Sequence, residues 1–274
     1  MHNIDLRSDT VTLPTKEMLN AISNADLGDD VFQEDPTINR LEKLAAEKFD
    51  KEAALFVPSG TMANLVAVLT HCQRGDEVIL GDQSHTFLYE RGGISAFGGV
   101  HSRQLLNNQD GTMNIEDIKS AIRKVDIHFP PSTLICLENT HNRCSGMPLS
   151  IEYVNSVANL AKNNSMSVHI DGARIFNAEA AIDSSVAEMT KEVESVSFCL
   201  SKGLSAPSGS LLCGTFNFIK KARANRKALG GGMRQAGILA AAGIVALQTM
   251  NDKIIEDHKN AKLLGKSISK VNGV

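Results

Sequence analysis

Ser167-Val-His-Ile-Asp171 is a short, largely apolar run that ends in a carboxylate and breaks at Gly172-Ala173-Arg174. A run this short, closed by turn residues, reads as a buried parallel strand. The pattern recurs at Glu77-Val-Ile-Leu-Gly81, Leu134-Ile-Cys-Leu-Glu138 and Ser195-Val-Ser-Phe-Cys-Leu-Ser201. Helical patterns fall between these runs. Residues from Thr61 to Cys72 are apolar on nearly all sides, which predicts a buried helix. From Ile151 to Lys162, the residues Ile151, Val154, Val157, Ala158 and Ala161 share one stripe, the spacing of an amphipathic helix. Strands alternating with helices imply right-handed βαβ units. The expected class is therefore α/β, with a mostly parallel central sheet between helices. From Gln235 onward the chain is almost entirely helix-forming, and Val271-Asn-Gly-Val274 reads as a turn into a further strand.

The 274 residues suit one large domain or two unequal ones. A net charge of −3 gives no basic surface for nucleic acid or an anionic membrane, so neither is expected as a partner. The five cysteines are odd in number and form no Cys-x-x-Cys, so they read as reduced, buried thiols. Met1 to Arg7 has no apolar core of a signal peptide, and the longest apolar run, Gly237 to Leu247, is too short to span a bilayer. A cytoplasmic location is expected. The triplet Pro-Ser-Gly occurs at Pro58 and again at Pro207, which without any other internal repeat reads as coincidence.

Ligands of open α/β sheets bind at the carboxyl ends of the strands, and three polar groups are expected there. Ser59-Gly60-Thr61 opens the buried helix. Free N–H groups, the helix dipole and small residues suit a phosphate, although Ser59 or Thr61 as a simple N-cap explains the same letters. Lys202 follows an apolar strand. A desolvated lysine has a lowered pKa and can form a Schiff base, whereas one that reaches water does nothing of the kind. Asp171 could hold a protonated heteroaromatic nitrogen, cap a helix or pair with Arg174, and Arg174 could clamp a carboxylate. His85 could stack on a flat ring or move protons. His128, in Asp126-Ile-His128-Phe, is as ambiguous. Gly230-Gly-Gly-Met233-Arg234, with Lys227 upstream, could meet a phosphate or be a solvated loop. No His-Glu-x-x-His or other metal spacing is present, so no catalytic metal is expected. Together, a phosphate-binding helix start, a stacking histidine, a strand-end aspartate and a later strand-end lysine form the set that pyridoxal 5'-phosphate requires.

Several longer segments resemble the low-specificity L-threonine aldolases, of the aspartate-aminotransferase-like superfamily (fold type I). They are Leu6-Arg-Ser-Asp-Thr-Val-Thr12, Gly28-Asp-Asp-Val-Phe, Glu34-Asp-Pro-Thr37, Pro58-Ser-Gly-Thr-Met-Ala-Asn64, Glu138-Asn-Thr-His-Asn142, His169-Ile-Asp-Gly-Ala-Arg174, Leu200-Ser-Lys-Gly-Leu204 and Gly230-Gly-Gly-Met-Arg-Gln235. The resemblance implies cleavage of L-threonine or L-allo-threonine to glycine and acetaldehyde on pyridoxal 5'-phosphate. It implies that Lys202 holds the cofactor, Asp171 pairs with its ring nitrogen, His85 stacks on the ring, and Ser59, Gly60 and Thr61 bind its phosphate. Ser8 and Arg174 would hold the substrate carboxylate, and His128 would lie near the β-hydroxyl, with His85, His128 or a water as the base. Lys227 and Arg234 would be phosphate-side residues reaching a neighbouring subunit, in a homo-oligomer, a tetramer built from dimers with shared sites. The expected layout is an N-terminal arm over residues 1–27, a large cofactor-binding domain over 28–250, and the incomplete start of a small C-terminal domain over 251–274. Phe32-Gln33 departs from the family's usual Tyr-Gly, and the family's further C-terminal arginine is missing. Two other readings accompany this one: a β-eliminating lyase of the same fold, and a truncated cofactor-binding chain with little turnover. A cofactor-free Schiff-base aldolase would leave Asp171 and the phosphate features without a role.

Overall fold

The structure, a computed structural model, describes residues 4–271 and Gly273, so the turn expected over 271–274 falls partly outside it. Seven strands, β1 (Ala53–Val57), β2 (Glu77–Gly81), β3 (His101–Leu105), β4 (Ser132–Glu138), β5 (Ser167–Asp171), β6 (Ser195–Cys199) and β7 (Ser210–Gly214), form one sheet in the order β1-β7-β6-β5-β4-β2-β3. β7 runs antiparallel to both its neighbours, and the other six strands share one direction. The helices are α1 (Lys16–Ser23), α2 (Pro36–Lys48), α3 (Gly60–His71), α4 (His85–Leu88), α5 (Gly93–Ala96), α6 (Ile115–Ala121), α7 (Ile151–Asn163), α8 (Ile175–Ile182), α9 (Val186–Met189), α10 (Phe216–Ala228), α11 (Gly237–Thr249) and α12 (Asn251–Ile268).

Apart from the edge strand β3, the strands are buried on both faces. Ile79, Ile135 and Phe56 point into a core shared with α2, α7, α8 and α11, while their neighbours Val78, Leu134 and Leu55 point into the cores under α3, α5 and α10. Phe198 anchors the larger core, stacked on Phe49 at 4.8 Å and edge-on to Phe176 at 5.4 Å. Local chemistry sets the helix starts. Asp35 caps α2 by accepting from Thr37 N and Ile38 N, with Pro36 at the first helical position. Ser59 caps α3 by accepting from Met62 N. α11 is apolar all round and accordingly buried, packed between α1 and α2. Among the described residues no single helix is long and apolar enough to cross a membrane.

Two sequence features find their reason here. The Pro-Ser-Gly triplets flank the paired ends of β1 and β7, where Ser208 Oγ donates to the Pro58 carbonyl at 3.4 Å. Gln33, where the resembled family has glycine, sits in the left-handed region at φ 59, a conformation glycine adopts without strain.

Candidate active site

The register of the sheet assembles the site. Glu138 lies beside Asp171, and Asp171 beside Ser197, so three polar residues form a row across the carboxyl ends of β4, β5 and β6. The turn after β6 carries Lys202, whose carbonyl accepts from Thr12 Oγ1 and Ser205 N, both at 2.8 Å. The first turn of α3 closes the third side. A Cβ on Gly60 would come within 2.8 Å of Cys199 Sγ, so glycine permits the close approach of this helix start to the end of β6. Cys199 in turn feels the charges of Lys202, Asp171 and Arg174. All five cysteines are free and buried, as the sequence indicated.

Asp171 is only 4% exposed. Its Oδ2 accepts from Asn64 Nδ2 at 2.8 Å and its Oδ1 from Ala173 N at 3.1 Å. Arg174 is therefore not its partner. Arg174 instead forks onto Asp9, with Nε to Oδ2 at 2.8 Å and Nη2 to Oδ1 at 2.7 Å, and reaches Asn142 Oδ1 with Nη1. Burial works to raise the Asp9 carboxyl, but the Arg174 hydrogen bonds prevail and hold it low. Ser8 lies exposed beside Asp9 and accepts from Thr10 N and Thr10 Oγ1.

His85 follows β2. Its Nδ1 meets Glu90 Oε1 at 2.9 Å, and its backbone N–H donates to Glu138 Oε2 at 2.7 Å. The Glu90 hydrogen bond raises the His85 pKa against the opposing effect of burial. Glu138 also accepts from Asn142 N, and burial followed by the charge of Asp171 pushes its carboxyl up to about 7. Ligand atoms of His85, Glu90 and Asp171 lie within 4.8 Å of one another, a set that could hold a metal ion. The sequence shows no such set, because Asp171 stands far along the chain from the segment that carries His85 and Glu90. The hydrogen bonds of Asn64 and His85 already engage one oxygen of Glu90 and one of Asp171.

Lys227 and Arg234 are exposed on and after the last turn of α10. Arg234 Nη1 donates to Asp29 Oδ2 at 3.0 Å. Gly231, between them, packs so closely on Met62 that a Cβ would overlap its sulfur, which lays this loop beside the first turn of α3. His128 stands apart from these residues. It precedes β4, its side chain is 81% exposed, and its Nδ1 pairs locally with Asp126 at 2.7 Å. Six residue steps of strand separate Ser132 from Glu138, about 20 Å at ~3.3 Å per residue, so this chain does not bring its own His128 to the cluster. A cleft of about 710 Å³ lies between α2 and α10 and is lined by residues such as Lys43, Glu47, Lys220 and Phe216, none of them in the cluster.

Asn64, Glu90, Glu138 and Asp9 complete the site without having been singled out from the sequence. Glu138 carried a readable signal, a carboxylate closing an apolar strand. Asn64 carried only a weak one, a lone amide within an apolar helix.

The residues present suit pyridoxal 5'-phosphate. A buried carboxylate, a lysine at the adjacent strand end and a helix start held open by glycine supply the three attachments this group needs, and Glu90 Oε2 is buried there with no hydrogen-bond partner. Comparison with known proteins agrees. Residues 5–274 match the family model described as beta-eliminating lyase. The chain is 52% identical to low-specificity L-threonine aldolase 1 of Arabidopsis thaliana, over 100% of this chain and 77% of the relative. It is 46% identical to the low specificity L-threonine aldolase of Escherichia coli K12, over 97% of this chain and 79% of that protein. In fold it is similar to the Leishmania major threonine aldolase structure, with a TM-score of 0.83 at 20% identity, over 96% of this chain and 78% of that one. The chain thus belongs to the beta-eliminating lyase family and, within it, to the low-specificity L-threonine aldolases, pyridoxal-phosphate-dependent carbon–carbon lyases.

Proposed function

We propose that this chain cleaves L-threonine or L-allo-threonine into glycine and acetaldehyde, with its own residues in the following roles. The observation that carries the reading is the placement of Asp171 and the Lys202 turn at the ends of adjacent parallel strands, beside the N-terminus of α3. Lys202 would hold pyridoxal 5'-phosphate covalently, Asp171 would face its ring nitrogen, His85 its ring, and Ser59, Gly60 and Thr61 its phosphate. When bound, this group supplies an electron sink for the pair released as the Cα–Cβ bond breaks.

The chain's residues do the rest. Asp171, as a carboxylate, keeps a proton at the ring nitrogen. Arg174 binds the substrate carboxylate beside Ser8, and Asp9 must yield or share the guanidinium fork when substrate enters. His85 removes the β-hydroxyl proton, strengthened as a base by Glu90. Correct orientation of the scissile bond, set by Arg174, favours aldol cleavage over competing losses from Cα.

Lys227 and Arg234 would serve the phosphate side of a neighbouring subunit in a tetramer. Exposed apolar residues on the arm and the acidic loop, Leu13 at 81% and Phe32 at 68%, support an assembly of this kind. Residues 1–27, 28–250 and 251–274 would act as arm, cofactor domain and start of the next domain. Free thiols throughout favour the cytosol, where the reaction would serve threonine breakdown and glycine supply.

The test is release of acetaldehyde and glycine from L-threonine with added pyridoxal phosphate. Product that Lys202→Ala abolishes is the expected result. A keto acid and ammonia in place of those products would replace this reading with β-elimination.

A further inference from the structure

Behind Asp171 the structure holds a chain of polar side chains that the proposed reaction does not use. Asn64, 1% exposed, donates one amide hydrogen to Asp171 Oδ2 and one to Glu90 Oε1, both at 2.8 Å. Its Oδ1 accepts from Ser197 Oγ at 2.8 Å and lies 3.3 Å from His169 Nε2. His169 Nδ1 lies 2.9 Å from Ser195 Oγ, which lies 2.8 Å from His71 Nε2. These groups run between β5, β6 and α3, beneath the site and away from the bulk of the solvent.

One assignment of protons satisfies every one of these side-chain contacts. The Asn64 nitrogen faces the carboxyl groups of Asp171 and Glu90, and its oxygen faces Ser197 and His169. His169 Nε2 therefore carries a hydrogen. Burial lowers His169 to about 3 and His71 to about 4, so each ring is neutral and carries a single proton. His169 Nδ1 is then an acceptor and Ser195 its donor. Ser195 Oγ, having given its hydrogen, accepts from His71 Nε2. Every hydrogen bond points the same way, from His71 through Ser195, His169 and Asn64 to Asp171, and bonds aligned head to tail polarise one another.

We infer that Asn64 is a positioning residue, held in one orientation by this one-way chain so that it fixes the Asp171 carboxylate toward the cofactor's ring nitrogen. The inference rests on the reading of Asp171 given above. Ser197 and His169 anchor the amide, and Ser195 and His71 set the tautomer of His169. A rotated Asn64 would aim its oxygen at two carboxylates, which is why the anchors matter. Neither histidine touches the substrate side of the site.

The test uses the cofactor-loaded protein, with histidine labelled by ¹⁵N. Both His71 and His169 are expected as neutral rings protonated at Nε2 and bare at Nδ1. Asn64→Leu is expected to weaken pyridoxal-phosphate binding at least tenfold and to reduce the visible circular dichroism of the bound cofactor by half or more, with far-ultraviolet dichroism retained. Ser197→Ala, which removes one anchor and keeps the amide, is expected to give the same changes to a smaller degree. It decides the matter with the tautomers if Asn64→Leu does not fold. His169 protonated at Nδ1, or variants that bind cofactor with wild-type affinity and an unchanged spectrum, would overturn the inference alone. A wild-type chain that takes up no cofactor would overturn the cofactor reading and this inference together.

Discussion

Two lysines and two histidines stand at opposite ends of one sheet, and their fates differ. Lys51 lies ahead of β1, where its ammonium donates to the carbonyls of Thr190 at 2.8 Å and Val193 at 2.7 Å. Lys202 follows β6, and among the described residues its ammonium makes no hydrogen bond, only its backbone carbonyl being tied down. His128 pairs with Asp126 ahead of β4 in the open, with side chains 81% and 46% exposed. His85 pairs with Glu90 after β2, with side chains 31% and 2% exposed. Pair distances are nearly equal, 2.7 and 2.9 Å, so distance does not separate them. Position does. At the amino ends polar groups close loops and satisfy carbonyls. At the carboxyl ends helix starts converge, and charges are buried with valence left over for a ligand.

Substitutions should divide the two ends cleanly. Lys202→Met should reduce acetaldehyde release to background and leave no cofactor on the protein after gel filtration, while thermal unfolding of the apo-protein changes little. Retained cofactor in this variant would move the covalent attachment elsewhere. Next in size, His85→Phe should lower kcat by about 10²–10⁴, the range for loss of a positioned acid or base. His128→Phe should alter stability by no more than about 0.5 kcal/mol and leave kcat unchanged. Equal losses from both variants would break the contrast and return His128 to the chemistry.

Lys51→Met reverses the pattern. Its carbonyl partners would be left without a donor in a half-buried setting, so unfolding in urea should show a loss of about 1–3 kcal/mol. Cofactor affinity should not move. A change in affinity here would mean that the amino ends of the strands are coupled to the site after all.

The same polarity explains what the sequence disclosed. β2, β4, β5 and β6 are short runs bounded by turn residues and covered by helices on both faces, and a carboxylate or lysine at the end of such a run is conspicuous; Asp171 and Lys202 were legible for that reason. β3 was not, because His101-Ser-Arg-Gln-Leu105 is an edge strand with polar residues and half-exposed positions. β1 and β7 are short apolar runs hidden beside helices and a glycine-rich turn. His128 stands away from the cluster of its own chain, and the clue was present: it precedes its strand, and residues ahead of a parallel strand go to the other end of the sheet. Asn64 and Glu90 depend on contacts between segments 26 residues apart, and Asn64 meets Asp171 across 107. No local pattern encodes such pairs.

Glu138 offers the finest test of the carboxyl-end environment, through pH. Burial and the charge of Asp171 raise its pKa from 4.5 to about 7, so between these values the folded chain binds a proton that the unfolded chain has released. Stability from this group is fully present below 4.5 and is lost as pH rises through 7. His85, raised by Glu90, acts with the same sign: its contribution is present below 6.5 and lost as pH rises through its folded value. His71 and His169 act oppositely, because their lowered values let the unfolded chain take protons below 6.5, so their effect is confined to acid. Above pH 6.5 these two histidines no longer contribute, and the wild-type apo-protein should lose thermal stability between pH 6.5 and 8. Of the Glu138 and His85 contributions, Glu138→Gln removes the larger. It should lower Tm at pH 6.5, since an amide can accept from only one of the two N–H groups that Glu138 now satisfies, His85 and Asn142. Its decline from pH 6.5 to 8 should be shallower than that of the wild type, by a few degrees at roughly 2–4 °C per kcal/mol. Parallel curves for the two proteins would mean that Glu138 is ionised throughout, and that the crowding of carboxylates beside Asp171 is relieved by the hydrogen bonds alone.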